Sequence, residues 1–132
     1  MRRSAWRKRS PLRCEGWAVK IASIDRVESF VTKDGSFIRE LHHTDAQSLA
    51  EATLEPGQAT ERHYHRATEE IYFVIKGSGD MEVDGESERV RPGDAVLIPP
   101  GAWHTLVNDG TSELRILCCC VPPYSDEDTF FS

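Results

Sequence analysis

Turn-forming dipeptides divide this chain into short pieces. Asp34-Gly35, Pro56-Gly57, Gly77-Ser78-Gly79, Asp84-Gly85, Pro92-Gly93, Pro99-Pro100-Gly101 and Asp109-Gly110 alternate with apolar runs of strand length. Almost no stretch between them keeps a 3.6-residue period long enough for a helix, so the pattern predicts an all-β fold. The predicted strands are Val19–Ile24, Phe37–Leu41, Ser48–Leu54, Glu70–Lys76, Asp80–Val83, Ser87–Val90, Ala95–Ile98, His104–Val107 and Leu114–Val121. Asp84-Gly85 reads as a hairpin turn of type I′, which needs positive φ at both central residues. Short strands at this spacing suggest a sandwich or jelly roll, whose curled sheets leave a central mouth for a ligand. At 132 residues the chain suits one domain, and 39% apolar residues are enough for a real core.

The two ends read differently from the middle. Residues 1–20 carry seven Arg or Lys, including Arg2, Arg3, Arg7, Lys8, Arg9 and Arg13, against the single acid Glu15. The remainder is strongly acidic and gives the whole chain its net charge of −6. An acidic domain repels phosphate, so nucleic acid is not an expected partner. Residues 1–18 are read as a disordered basic extension, with a tail for an anionic partner as the other reading. The ordered protein would then begin near Val19, with a native start at Met1 or close to Val19 both open. No apolar stretch follows Arg2-Arg3 to make an export signal, and none is long enough to span a membrane, so a soluble, cytoplasmic protein is expected. Residues 19–123 form the expected domain. Residues 124–132, with Asp126, Glu127, Asp128, Phe130 and Phe131 after Pro122-Pro123, are expected as a flexible tail.

Cys118, Cys119 and Cys120 are contiguous in an apolar run. On a strand, Cys118 and Cys120 share one face and Cys119 takes the other, and neighbours two apart are too far from each other for a disulfide. Buried free thiols acting as small hydrophobes are expected.

The chemistry-bearing residues cluster. His63-Tyr64-His65 puts two imidazoles on one face of an extended segment, where both can reach one ion. Glu70 opens an apolar strand whose alternation turns Glu70, Tyr72 and Val74 to one side. A carboxylate at the start of a buried face needs a partner, and a metal ion, a salt bridge or a solvent position would each serve.

Taken together these regions resemble the paired signatures of the cupin superfamily. The first, G-x5-H-x-H-x3,4-E-x6-G, is matched by Gly57, His63, His65, Glu70 and Gly77. The second, G-x5-P-x-G-x2-H-x3-N, is matched by Gly93, Pro99, Gly101, His104 and Asn108, with a short segment between the two. The resemblance implies a small single-domain type-2 cupin: a jelly-roll β-barrel binding one divalent metal (Mn, Fe, Co, Ni, Cu or Zn) through His63, His65, Glu70 and His104. It selects Glu70 over Glu69, which would face outward. Three neutral imidazoles and one carboxylate leave a divalent ion near +1, with positions open for water or substrate. A homodimer is a further implication.

The other polar residues are less constrained. Tyr72 could donate a hydrogen bond to a substrate or pack with its hydroxyl satisfied. Arg39 and Arg115 could counter an anionic substrate or sit on the barrel exterior. His42 and His43 point oppositely on a strand and suit an exposed segment. Trp103 suits packing, and Asn108 a turn. The expected function is that of an enzyme acting on a small oxygenated metabolite, such as an organic acid, sugar derivative or enol, that chelates the metal. Dioxygenase, decarboxylase, isomerase and lyase chemistry all fit. Arg66-Ala67-Thr68-Glu69 is locally similar to germin-type and oxalate-acting cupins. The alternative is a non-catalytic module that binds a small ligand or metal.

Overall fold

A computed structural model describes residues 18–132. The predicted extension 1–18 falls almost entirely outside them. Among the described residues, eleven strands form two antiparallel sheets. In chain order they are β1 (Phe30–Val31), β2 (Phe37–His43), β3 (Ser48–Leu54), β4 (His63–His65), β5 (Glu69–Lys76), β6 (Gly79–Val83), β7 (Glu86–Val90), β8 (Ala95–Ile98), β9 (His104–Val107), β10 (Leu114–Val121) and β11 (Thr129–Phe131). One sheet runs β1-β2-β3-β10-β5-β8 and the other β11-β4-β9-β6-β7. The chain passes repeatedly between the sheets, as a jelly roll requires.

The sheets close over a core made by the inward half of each alternation. Leu54, Val74, Ile98, Leu106, Leu114 and Ile116 are buried within it. On β5 the pattern is strict: Glu70, Tyr72 and Val74 are buried while Ile71, Phe73 and Ile75 face outward. Asp84 and Gly85 both have positive φ, 49° and 87°, and join β6 to β7 with Val83 opposite Glu86. Gly77, at φ 77°, turns the chain from β5 into β6 where a Cβ would strike the backbone of Glu113 and Leu114, so no larger residue fits this approach.

Two expectations fail. Among the described residues, Val19–Ile24 is not a strand of either sheet. Val19 and Ile21 are 84% and 80% exposed, and the segment that suggested a strand meets no sheet edge among the described residues. Residues 124–132 are not a loose tail. Ser125 caps a 3₁₀ turn over Asp126–Asp128, and β11 then pairs with β4, placing Thr129 opposite His65 and Phe131 opposite His63. The Asp128 carboxylate fastens this segment by accepting from the backbone N–H groups of Arg66, Ala67 and Thr68 at 3.1–3.2 Å. None of the helices among the described residues is long and apolar enough to cross a membrane.

Candidate metal centre

The centre is assembled from both sheets. His63 and His65 leave the same face of β4, and β9 brings His104 directly opposite His63. Their ring centroids lie 4.2 Å apart for His63 and His104, 5.0 Å for His63 and His65, and 5.4 Å for His65 and His104. One ligating nitrogen from each lies within 4.8 Å of the others, and all three residues are buried. Glu70 comes from the facing sheet, where it stands opposite Cys120 on one side and Ile98 on the other. Its Oε1 lies 3.3 Å from His65 Nε2 and 3.4 Å from His104 Nε2. Glu69 is exposed, as the alternation requires.

The hydrogen bonds at the other ring nitrogen fix the tautomers. His63 Nδ1 is 2.7 Å from the Glu61 carbonyl and His104 Nδ1 is 2.9 Å from the Ala102 carbonyl, so both must donate. His65 Nδ1 is 3.2 Å from Thr129 Oγ1. That hydroxyl spends its only proton on the Ser125 carbonyl at 2.8 Å, so it accepts from His65. With Nδ1–H donated in all three rings, each neutral imidazole turns an Nε2 lone pair toward the centre. This is the arrangement by which outer partners orient metal-binding histidines.

That convergence is unfavourable by itself. Glu70 Oε1 and His104 Nε2 are fully buried and have no hydrogen-bond partner among the described residues. Burial pushes the Glu70 carboxyl up, but His104 and His65, which attract the carboxylate whenever a ring Nε2 carries a proton, hold it down to about 2. Burial and the His104 ring lower the pKa of His63; at His65 burial is outweighed by Glu70, which raises it. Without that proton a carboxylate lone pair faces imidazole lone pairs in a dry site, an arrangement that calls for a cation between them. The donor set fits a divalent ion of the mixed nitrogen and oxygen kind.

The remaining expected residues divide. Tyr72 is buried with its ring 6.0 Å from His104 and lines the cavity above the histidines. Burial, then the Glu70 charge, push its phenol well above the usual range, so it stays a donor. Arg39 does not reach the cavity. β2 turns Ile38 and Glu40 inward, so Arg39 lies on the outer face, 3.4 Å from Glu51, which Arg115 also engages. His42 and His43 are exposed. Trp103 packs between Arg62 and Tyr64, and Asn108 braces a turn by donating to the Leu54 and Ser112 carbonyls.

Some contributors were not anticipated. Cys120 is buried with its Sγ 3.2 Å from Glu70 Oε2, and Cys118 faces the same cavity while Cys119 is exposed. Strand alternation gave the facing of these thiols but not the contact across to β5. Asp34 also enters the cavity, and an Asp-Gly pair reads only as a turn in sequence.

Comparison with known proteins agrees with this geometry. The cupin domain family matches residues 50–120, which contain all four residues of the centre. The chain belongs to the cupin family. An uncharacterized protein of Methanocaldococcus jannaschii is 46% identical over 110 residues, 80% of this chain and 88% of its own length. An oxalate-binding protein of Thermotoga maritima is 28% identical over 83 residues, 63% of this cupin and 69% of that protein. Among solved structures, KdgF from Halomonas sp. superposes with a TM-score of 0.74 at 20% identity, covering 83% of this chain and 98% of that one. At that identity the likeness concerns the fold.

Proposed function

We propose that this cupin holds one divalent metal through His63, His65, His104 and Glu70, and acts on a small oxygenated molecule that chelates the ion. The observation that carries this reading is the set of three Nδ1–H groups donated outward, which leaves three lone pairs and an unpartnered carboxylate oxygen facing one point. A bound ion there supplies Lewis acidity to a chelating carbonyl or hydroxyl. The protein's own residues do the rest. Glu70 reduces the ion's charge, Tyr72 offers a donor beside it, and the apolar wall from Ala52, Leu54 and Ile116 excludes water. Dioxygenation, decarboxylation, isomerisation and elimination all begin from such a complex. The Thermotoga relative, named for binding oxalate, favours a second reading in which the site binds without turnover.

The test is metal analysis of protein purified without added metal, followed by a screen of chelating metabolites with the ion found. Near-equimolar metal, lost in His63→Ala and Glu70→Ala, supports the centre. Full retention in a variant lacking His63, His65 and His104 sinks it. Ion-dependent turnover of any member of the screen selects the enzyme over the binding module.

The same reading includes a homodimer. The outer face of β5, β8 and β10 exposes Ile71, Phe73, Ile75, Leu97 and Val121 in adjacent rows, and a second copy of the same face would cover them. A light-scattering mass of one chain would exclude it, and Phe73→Glu should dissociate it.

A further inference from the structure

The cavity in front of the centre is small, about 60 Å³ of enclosed space that opens to solvent at a wider mouth. Much of its wall is apolar, from Phe30, Ile38, Ala52, Leu54 and Ile116. Among the described residues lining it there is no lysine or arginine. Its charged members besides the centre are two further carboxylates, Asp34 and Glu40, and Glu40 is engaged by His43 at 3.0 Å.

Asp34 is built into place. Its Oδ1 accepts from Thr32 Oγ1 at 2.6 Å, Ser36 Oγ at 2.7 Å and Ser36 N at 3.1 Å. Its backbone carbonyl accepts from Glu61 N at 2.9 Å, tying the hairpin tip to the segment that leads into β4. Oδ2 is left facing the centre, 4.0 Å from His63 Nε2, on a side chain only 15% exposed. Together with Glu70 and Glu40 it makes carboxylates the cavity's strongest acceptors, beside neutral hydroxyls such as those of Thr60 and Tyr72.

We infer that this cavity takes an uncharged molecule with an apolar body and a hydrogen-bond donor, and that Asp34 is the residue that selects it. The inference rests on the metal reading and narrows it. The two charges of a divalent ion are already matched by Glu70 and Asp34. A small dianion would add uncompensated negative charge to a site with no cationic side chain to receive it, whereas a hydroxyl or amide N–H can be donated to Asp34 Oδ2. Tyr72 supplies the complementary donor on the same wall.

The experiment uses isosteric acid and amide pairs, mandelate with mandelamide and oxalate with oxamide, titrated calorimetrically onto the full-length wild type and Asp34→Asn. Asparagine can keep its amide oxygen on the Thr32 and Ser36 donors while removing the charge. Thermal melts and metal content of both proteins are measured on the same samples. Amide binding by the wild type is expected, with the ratio of mandelate to mandelamide affinity rising about tenfold or more in Asp34→Asn. A ratio that does not move, oxalate as the tightest ligand of the set, or no amide binding to the wild type overturns the inference. A wild type that cannot be loaded with metal fails the metal reading instead, and the same ratio on that sample still decides the role of Asp34.

Discussion

Two glutamates in this barrel are almost wholly removed from solvent, and they are neutralised in opposite ways. Glu51, on the outer face of β3, is 0% exposed and lies between the guanidinium groups of Arg39 and Arg115. Glu70, on the inner face of β5, is 4% exposed and lies against two imidazoles and a thiol. Guanidinium is always charged, so Glu51 is satisfied by the chain alone. The imidazoles at Glu70 offer lone pairs when neutral, so its charge is met only when a proton or another cation arrives. A buried carboxylate is therefore not a functional sign by itself. What distinguishes the two is whether the surrounding protein closes the account of charge.

The largest effect that would break this contrast is on stability. Glu51→Ala removes the shared anion from two arginines that are about one-third exposed and can turn partly to water. The expected loss is therefore at the low end for a buried pair, about 3 kcal/mol in urea unfolding, with metal content unchanged. Loss of metal in this variant would mean that the two carboxylates are not independent.

Glu70→Gln should do the reverse. The amide keeps the shape but not the charge, and metal affinity should fall at least about a hundredfold in competition with a chelator, on the scale of the strongest outer-partner losses. Unfolding of the metal-free protein, measured at alkaline pH where the imidazoles carry no extra proton, should change by less than about 1 kcal/mol, because the charge removed has no counter-charge there. A large loss of metal-free stability would make Glu70 a structural carboxylate like Glu51.

The same contrast marks what could be read in the sequence. Glu70 stood out because motif spacing and strand alternation agreed on it. Glu51 lies in Ser48–Leu54, which reads only as a strand, and nothing local says that Arg39 and Arg115, on the two flanking strands, converge on it. The longer strands were legible because each buries one face. β1 and β11 were not, being two and three residues long and held by partners distant in sequence. Val19–Ile24 has strand-like alternation but joins neither sheet among the described residues. Asp34 was hidden for another reason: its role depends on where the β1–β2 hairpin lands, while its composition announces only a turn.

Thr129→Val tests how far the centre depends on the unexpected β11. It removes the oxygen that accepts from His65 Nδ1 while keeping side-chain volume, so His65 loses its tautomer lock. Metal affinity should fall about tenfold with little change in the Glu51 cluster or in the melting midpoint of the metal-free protein. An unchanged affinity would show that packing between β4 and β11 alone orients the ring.

The smallest expected effect is at Cys120. Burial, followed by the Glu70 charge, pushes its thiol up, so it remains a protonated donor to Glu70 Oε2 and leaves Oε1 for the centre. A thiol is a weak donor, and Cys120→Ala should weaken metal binding only about threefold, the scale of a single S–H···O contact. Cys120→Ser should recover that loss, since a hydroxyl donates more strongly from a similar position. A hundredfold loss in Cys120→Ala would instead make the sulfur a metal ligand. A metal-bound thiolate would add a second negative charge at the centre, and Glu70 would no longer be the carboxylate that alone awaits a cation. Cobalt loading separates the two, because a sulfur ligand gives an intense charge-transfer absorption that a thiol held on Glu70 does not.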